Sequence, residues 1–177
     1  MGLDITAYEN VELKAADLEK QVAWELVDNL YGQGIRTISI WDTMAFSERA
    51  APLVVPDNGV NVYVVSGEMF DFHAGSYSGH GRFRELLCEM AGIAAPDVQW
   101  TDPARYAPLP FHELVNFSDC EGVIGSAAAA ELAKDFAAHQ EQAKRFAGND
   151  KPYFLCVYND WRKAFELAQH GGVVSFG

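Results

Sequence analysis

Two stretches of this chain carry residue types that could do chemistry at close spacing. The first is Gly75-Ser76-Tyr77-Ser78-Gly79-His80-Gly81-Arg82-Phe83-Arg84. Its glycines let the backbone approach a ligand, Ser76 and Ser78 supply hydroxyls, and Arg82 and Arg84 fall in the first turn of the helix that follows. A helix N-terminus already favours anions, so a phosphate or carboxylate is the ligand this pattern suits. It lacks the Gly-Lys-Ser/Thr ending of a P-loop and does not match the dinucleotide-binding spacing. The alternative is a tight strand-to-helix turn whose arginines pair with surface carboxylates.

The second stretch is Phe117-Ser118-Asp119-Cys120-Glu121-Gly122-Val123-Ile124-Gly125. Carboxylates on both sides of Cys120 push its thiol away from the reactive thiolate, which counts against cysteine nucleophilic catalysis. Asp119 and Glu121 are the acid/base or cation-binding candidates, with His80 or His112, or Asp71 and His73, as residues the fold could bring near. The alternative is a helix lead-in, with Ser118 or Asp119 satisfying backbone donors, Gly122 and Gly125 taking special conformations and Cys120 filling a core gap. A bridge from Arg82 or Arg84 to Asp119 or Glu121 would join the two stretches through a structural ion pair. No histidine pair has metal-ligand spacing on a helix, so no metal is expected, and no cofactor motif is present.

The elements that must position these stretches follow from periodicity. Leu3 to Tyr8 alternates and predicts a strand. Ala15 to Tyr31 predicts a helix, with Leu18, Val22, Leu26 and Leu30 as its stripe and Trp24, Val27 and Tyr31 widening the buried face. Ile35 to Trp41 predicts a second strand and Asp42 to Asn58 a surface loop. Val60 to Val65 and Met69 to Ala74 predict a hairpin turning at Ser66-Gly67-Glu68. A helix capped by Ser78 follows, burying Phe83, Leu86, Leu87, Met90 and Ala91 and stopping at Gly92. The proline-rich 94–110 segment predicts an irregular loop, and 111–115 a single helical turn. A long helix from Ser126 to Phe146 carries the stripe Ala129, Leu132, Phe136, Ala143 and Phe146. Tyr153 to Tyr158 fits either a strand or a helix start, Trp161 to Ala168 is helical, and Val173 to Phe176 returns as a strand. The expected fold is one α+β domain over 1–177, a small, mostly antiparallel sheet covered by about four helices.

The chain has 177 residues, 49% of them hydrophobic, which suffices for a core. No apolar run approaches the ~18 residues of a membrane span, and no signal-peptide pattern is present, so a soluble cytoplasmic protein is expected. The Gly2 and Thr6 positions match a myristoylation pattern, but a buried strand explains Leu3 and Ile5 better. Cys88, Cys120 and Cys156 are odd in number and far apart, which predicts reduced thiols. The net charge is −12, with −8 over residues 1–75, −6 over 86–135 and +1 over 140–177. A field of this sign repels phosphate backbones, arguing against direct nucleic-acid binding, and attracts basic surfaces.

Taken together, Met1-Gly2-Leu3-Asp4-Ile5-Thr6-Ala7-Tyr8, the Gly75 to Arg84 stretch, Phe117 to Gly125, and Asp160-Trp161-Arg162-Lys163-Ala164-Phe165-Glu166-Leu167-Ala168 resemble a family of uncharacterised phage and prophage proteins. In that family the positions of His80, Gly81 and Phe83 carry an aromatic residue, Asn and Trp. The resemblance implies the cytoplasm of a phage-infected or prophage-carrying bacterium. With the charge, it leads to an expected non-enzymatic accessory protein that engages or inhibits a basic host protein, such as a nucleic-acid-handling or defence component. The competing expectation is a small enzyme or anion-binding domain using Ser76, Ser78, Arg82 and Arg84 with Asp119 and Glu121.

Overall fold

The structure is a computed structural model and describes residues 2–42, 47–117 and 121–177. Five strands form one antiparallel sheet: β1 (Gly2–Leu18), β2 (Thr37–Trp41), β3 (Val60–Ser76), β4 (Gly122–Gly125) and β5 (Val173–Phe176), in the order β2-β3-β1-β5-β4. Among the described residues there are eight α-helices: α1 (Lys20–Gly32), α2 (Tyr77–Ala91), α3 (Pro96–Thr101), α4 (Pro103–Tyr106), α5 (His112–Val115), α6 (Ser126–Ala138), α7 (Gln140–Ala147) and α8 (Pro152–Ala168). The class is α+β, as expected, and the four longest helices, α1, α2, α6 and α8, correspond to the four anticipated.

The central pair, β1 and β3, runs 17 residues in each strand, which corrects two expectations. The segment 60–76 is one strand, not a hairpin. Both of its halves pair with β1, Val65 opposite Val11 and Phe72 opposite Ile5, and Gly67 lies at a register shift. Gly67 has φ +80°, and the Glu9 carboxylate accepts the Glu68 N–H at 2.8 Å. Positive φ there makes a bulge in a continuous strand, where local composition suggested a turn. Likewise Ala15 to Leu18 remains in β1, and α1 begins only at Lys20.

Alternation along the short strands separates two faces. Ala7, Ile124 and Val174 enter a large core with Trp161, Phe136 and Phe165 of the helices, while Tyr8, Val123 and Val173 point the other way. The second cluster joins Ile38 and Ile40 of β2 to Val123 of β4, so the two edge strands approach each other and the sheet curls. Both edges line one gap of ≈360 Å³ containing Ser39, Glu121 and Gly122. A short 3-10 helix, Ser47–Ala50, closes this face against β4. A Cβ on Gly125 would stand 2.1 Å from the Ala50 carbonyl oxygen, so glycine permits the approach. The loop beyond is anchored by Tyr63 Oη, which accepts the Val54 N–H at 2.9 Å, and by Asn61 Nδ2, which donates to the Val54 oxygen at 2.9 Å.

Two further expectations change, and one open alternative is decided. The 94–110 segment holds α3 and α4, each with proline in its first turn, where a missing N–H costs no hydrogen bond. The expected long helix breaks at His139, whose Nδ1 lies 2.9 Å from the Asp135 carbonyl oxygen, into α6 and α7. The ambiguous 153–158 segment is helical, within α8, and buries Phe154, Val157 and Tyr158.

Candidate functional site

At the strand-to-helix junction Gly75 has φ +101°, and a Cβ there would meet Tyr153 Oη at 2.8 Å. Ser76, not Ser78, is the N-cap of α2: its Oγ accepts the Gly79 N–H at 3.1 Å and lies 3.1 Å from the Ser78 Oγ. One of the donors an anion would use is thereby satisfied from within the turn. Arg82 is exposed and pairs with Glu85 at 2.6 Å, one turn along the helix. Arg84 is buried, and its Nη1 donates to the carbonyl oxygens of Phe117 at 2.8 Å and Val115 at 3.4 Å. The two stretches singled out in the sequence therefore meet, through arginine and main-chain oxygens.

Ser118, Asp119 and Cys120 lie outside the described residues. Glu121 is exposed at the gap between the edge strands, and Gly122 takes φ +119° at the start of β4. His80 is fully buried among Phe83, Trp161 and Phe176, and neither ring nitrogen has a hydrogen-bond partner among the described residues. Burial, with Arg84 adding, pushes its pKa down to about 3, so it sits in the core as a neutral ring. His73 and Asp4 form an exposed pair across β3 and β1 at 2.9 Å, with Asp71 also exposed. Among the described residues no group of three or more His, Cys, Asp or Glu side chains could hold a metal ion.

A cleft of ≈650 Å³ lies elsewhere, between the 3-10 helix, the α3–α5 segment and α6. Pro103, Ala104 and Ala107 form one wall, Ala127 and Ala128 another, and Trp100 stands at the side. Arg49 enters from the 3-10 helix, nearly buried and paired with Glu48. From α5 come His112 and Glu113, with Asn116 just beyond, and from α6 comes Glu131. Behind His112, the fully buried Gln99 donates through Nε2 to the Ala94 oxygen at 2.8 Å, which turns its Oε1 toward His112 Nδ1 at 3.4 Å. An amide oxygen only accepts, so Nδ1 carries the proton and Nε2 keeps a lone pair. Burial, with Arg49 adding, lowers the His112 pKa and favours this neutral form.

One carboxyl of the cleft, Glu113, and Asp135, one turn along α6 from the cleft's Glu131, are also perturbed. Burial raises the pKa of Glu113, with Asp135 and Glu131 adding to the rise while its own backbone hydrogen bond and Arg49 oppose it. Asp135 is raised by burial too, although its carboxylate accepts the Phe111 N–H at 2.7 Å. Of these residues sequence reasoning touched only His112. The available signal was Gln99, Glu113 and Asn116 set among apolar residues, but the proline-rich spacing concealed that Gln99 lies on a helix.

A third feature is the outer side of α1. Leu26, Val27 and Leu30 of the expected face do pack inward, together with Ala23, but the face is narrower than expected. Val22, Trp24 and Tyr31 consequently face outward, Trp24 55% and Tyr31 79% exposed. Gln21, Trp24, Glu25, Asp28 and Tyr31 share one exposed face at helical spacing. The Trp24 ring is held against Trp41 at 5.9 Å, with the Lys20 ammonium 5.6 Å from the Trp41 ring centre.

No protein-family model, no curated protein and no solved structure matches this chain. Among the described residues no helix is long and apolar enough to cross a membrane.

Proposed function

We propose that the chain is a non-enzymatic accessory protein of the phage type its motifs resemble, binding through its acidic surface to a basic surface of a host bacterial protein. The observation that carries this reading is the outer face of α1, where the exposed rings of Trp24 and Tyr31 alternate with Glu25 and Asp28. Aromatic rings accept guanidinium and ammonium groups on their faces, and adjacent carboxylates pair with the same cations. Large aromatics are the residue types that concentrate binding energy at interfaces, and here Trp24 and Tyr31 keep more than half of their surface exposed. Glu12, Asp17 and Glu19, all exposed, outnumber the exposed Lys14 and Lys20 along the chain leading into α1. Such a field speeds encounter with a basic partner and disfavours nucleic acid.

The test is retention of partners by the tagged protein from bacterial lysate at low salt, with elution on raising salt. A basic protein should be released, and its affinity for purified bait should fall about tenfold in each of two variants, Trp24→Ala/Tyr31→Ala and Glu25→Gln/Asp28→Asn. The carboxylate variant should also flatten the salt dependence. Undiminished binding by both variants would remove the basis for this reading.

A further inference from the structure

The cleft between the 3-10 helix, α4 and α6 has the makings of a ligand site that the acidic α1 face does not require. Its walls are apolar and it is large enough for a small molecule. The polar groups that converge on it are mostly acceptors. His112 presents a ring whose Nδ1 proton is committed toward Gln99, leaving Nε2 as an acceptor. Asn116 is 1% exposed, lines the cleft, and its Oδ1 has no hydrogen-bond partner among the described residues. A buried carbonyl oxygen left in that state is destabilising, and a ligand N–H would relieve it.

The charge balance points the same way. Glu48, Glu113 and Glu131 line the cleft against Arg49, which is paired with Glu48, while Lys134 pairs with Glu131 at 2.7 Å from outside the lining, so the carboxylates still exceed the cations by one. An anion would have to approach Glu113 and Glu131 to reach an arginine that is engaged. A cation would meet two carboxylates, an amide oxygen and an imidazole lone pair, with Trp100 and the alanine-proline walls bordering them. We propose that this cleft binds a small organic cation, an ammonium or amidinium group attached to a flat apolar body. The positive group lies between Glu113, Glu131 and Asn116, and the flat body packs against Trp100 and Ala104.

The full chain, titrated separately with benzamidine and phenethylamine, tests this, with benzoate and benzyl alcohol as an anion and a neutral molecule of similar size. In 1H–15N spectra at least one cation should saturably shift the Trp100 indole and the Asn116 side-chain amide, and neither control should. Glu131 is exposed, so Glu131→Gln should leave the fold intact and weaken binding about tenfold. Glu141→Gln, on α7 and away from the cleft, should bind as the parent does. Equal or tighter binding of benzoate or benzyl alcohol, shifts confined to other residues, unchanged affinity in Glu131→Gln, or no saturable response to either cation would each overturn the proposal. Because the α1 double variants leave the cleft untouched, their failure to affect partner binding and a failure here are separate results.

Discussion

Arg84 Nη1 lies 2.8 Å from the main-chain oxygen of Phe117, and this contact ties α2 to the segment that leads from α5 into β4. The residue is 6% exposed and donates also to the Val115 oxygen. A guanidinium buried against carbonyl oxygens satisfies acceptors that no strand or helix reaches. Arg84→Ala should therefore leave buried carbonyls without donors and lower stability by about 1–3 kcal/mol. Urea unfolding checks this, and a loss within experimental error would show that water replaces the guanidinium there.

His80 gives the protein a pH dependence whose sign follows from its burial. In the unfolded chain the ring titrates near the usual ~6.5, whereas in the fold its pKa is about 3. Between these values the unfolded state binds the extra proton, so this group's contribution to stability is present above pH ~6.5 and falls as pH drops toward 3, by up to ~1.4 kcal/mol per pH unit. His80→Phe, which suits a site walled by Phe83, Trp161 and Phe176, removes that proton. Its stability relative to the parent should rise steadily from pH 6.5 to pH 4 in paired thermal melts. Parallel curves over that range would mean that the ring is protonated or solvated in the native state.

Two glycines with different surroundings should respond oppositely to alanine. At Gly125 the new Cβ would stand 2.1 Å and 2.3 Å from the oxygens of Ala50 and Ala51, both backbone atoms. Gly125→Ala must displace the 3-10 helix and should cost about 1–3 kcal/mol. Gly81 lies inside α2, and an alanine methyl there would have no neighbour within 4 Å. Gly81→Ala should stabilise by about 0.5–1 kcal/mol, since alanine loses less backbone freedom in a helix. Differential scanning calorimetry of the two variants decides both, and equal melting temperatures would contradict the packing at Gly125.

The thiols should separate by reactivity. Cys88 is 1% exposed and burial pushes its pKa up to about 12, with Arg84 opposing, so it lacks thiolate at neutral pH. Cys156 is exposed on α8. Mass mapping after brief treatment with a thiol reagent should find Cys156 labelled, and Cys88 labelled only in denaturant. Early labelling of Cys88 would show that α2 opens in the native protein.

Much of the scaffold was legible because its signals are local. The stripe Phe83, Leu87 and Met90 with Gly92 as a left-handed stop defines α2, and the pattern Ala129, Leu132, Phe136 defines the inner side of α6. The terminal strand and the α+β class followed from the same periodicities. These features depend on spacing within a few residues, and spacing is what a sequence contains.

The features that bear on function were decided by tertiary pairing. Ser66-Gly67-Glu68 carries turn chemistry, yet it is a bulge because β1 is long enough to pair with both sides of it. Leu18 fits a helical stripe, yet it packs in the same cluster as α1 from the end of β1, while Trp24 and Tyr31, expected to widen the buried face, are exposed. Arg49, His112 with Asn116, and Glu131 come from three separate stretches, and the packing of the 3-10 helix on Gly125 helps bring them to one cleft. Periodicity fixes which residues share a face of one element. Which face is covered depends on partners distant in the chain, whose approach is governed by backbone clearance and the remaining apolar area rather than by neighbouring residues.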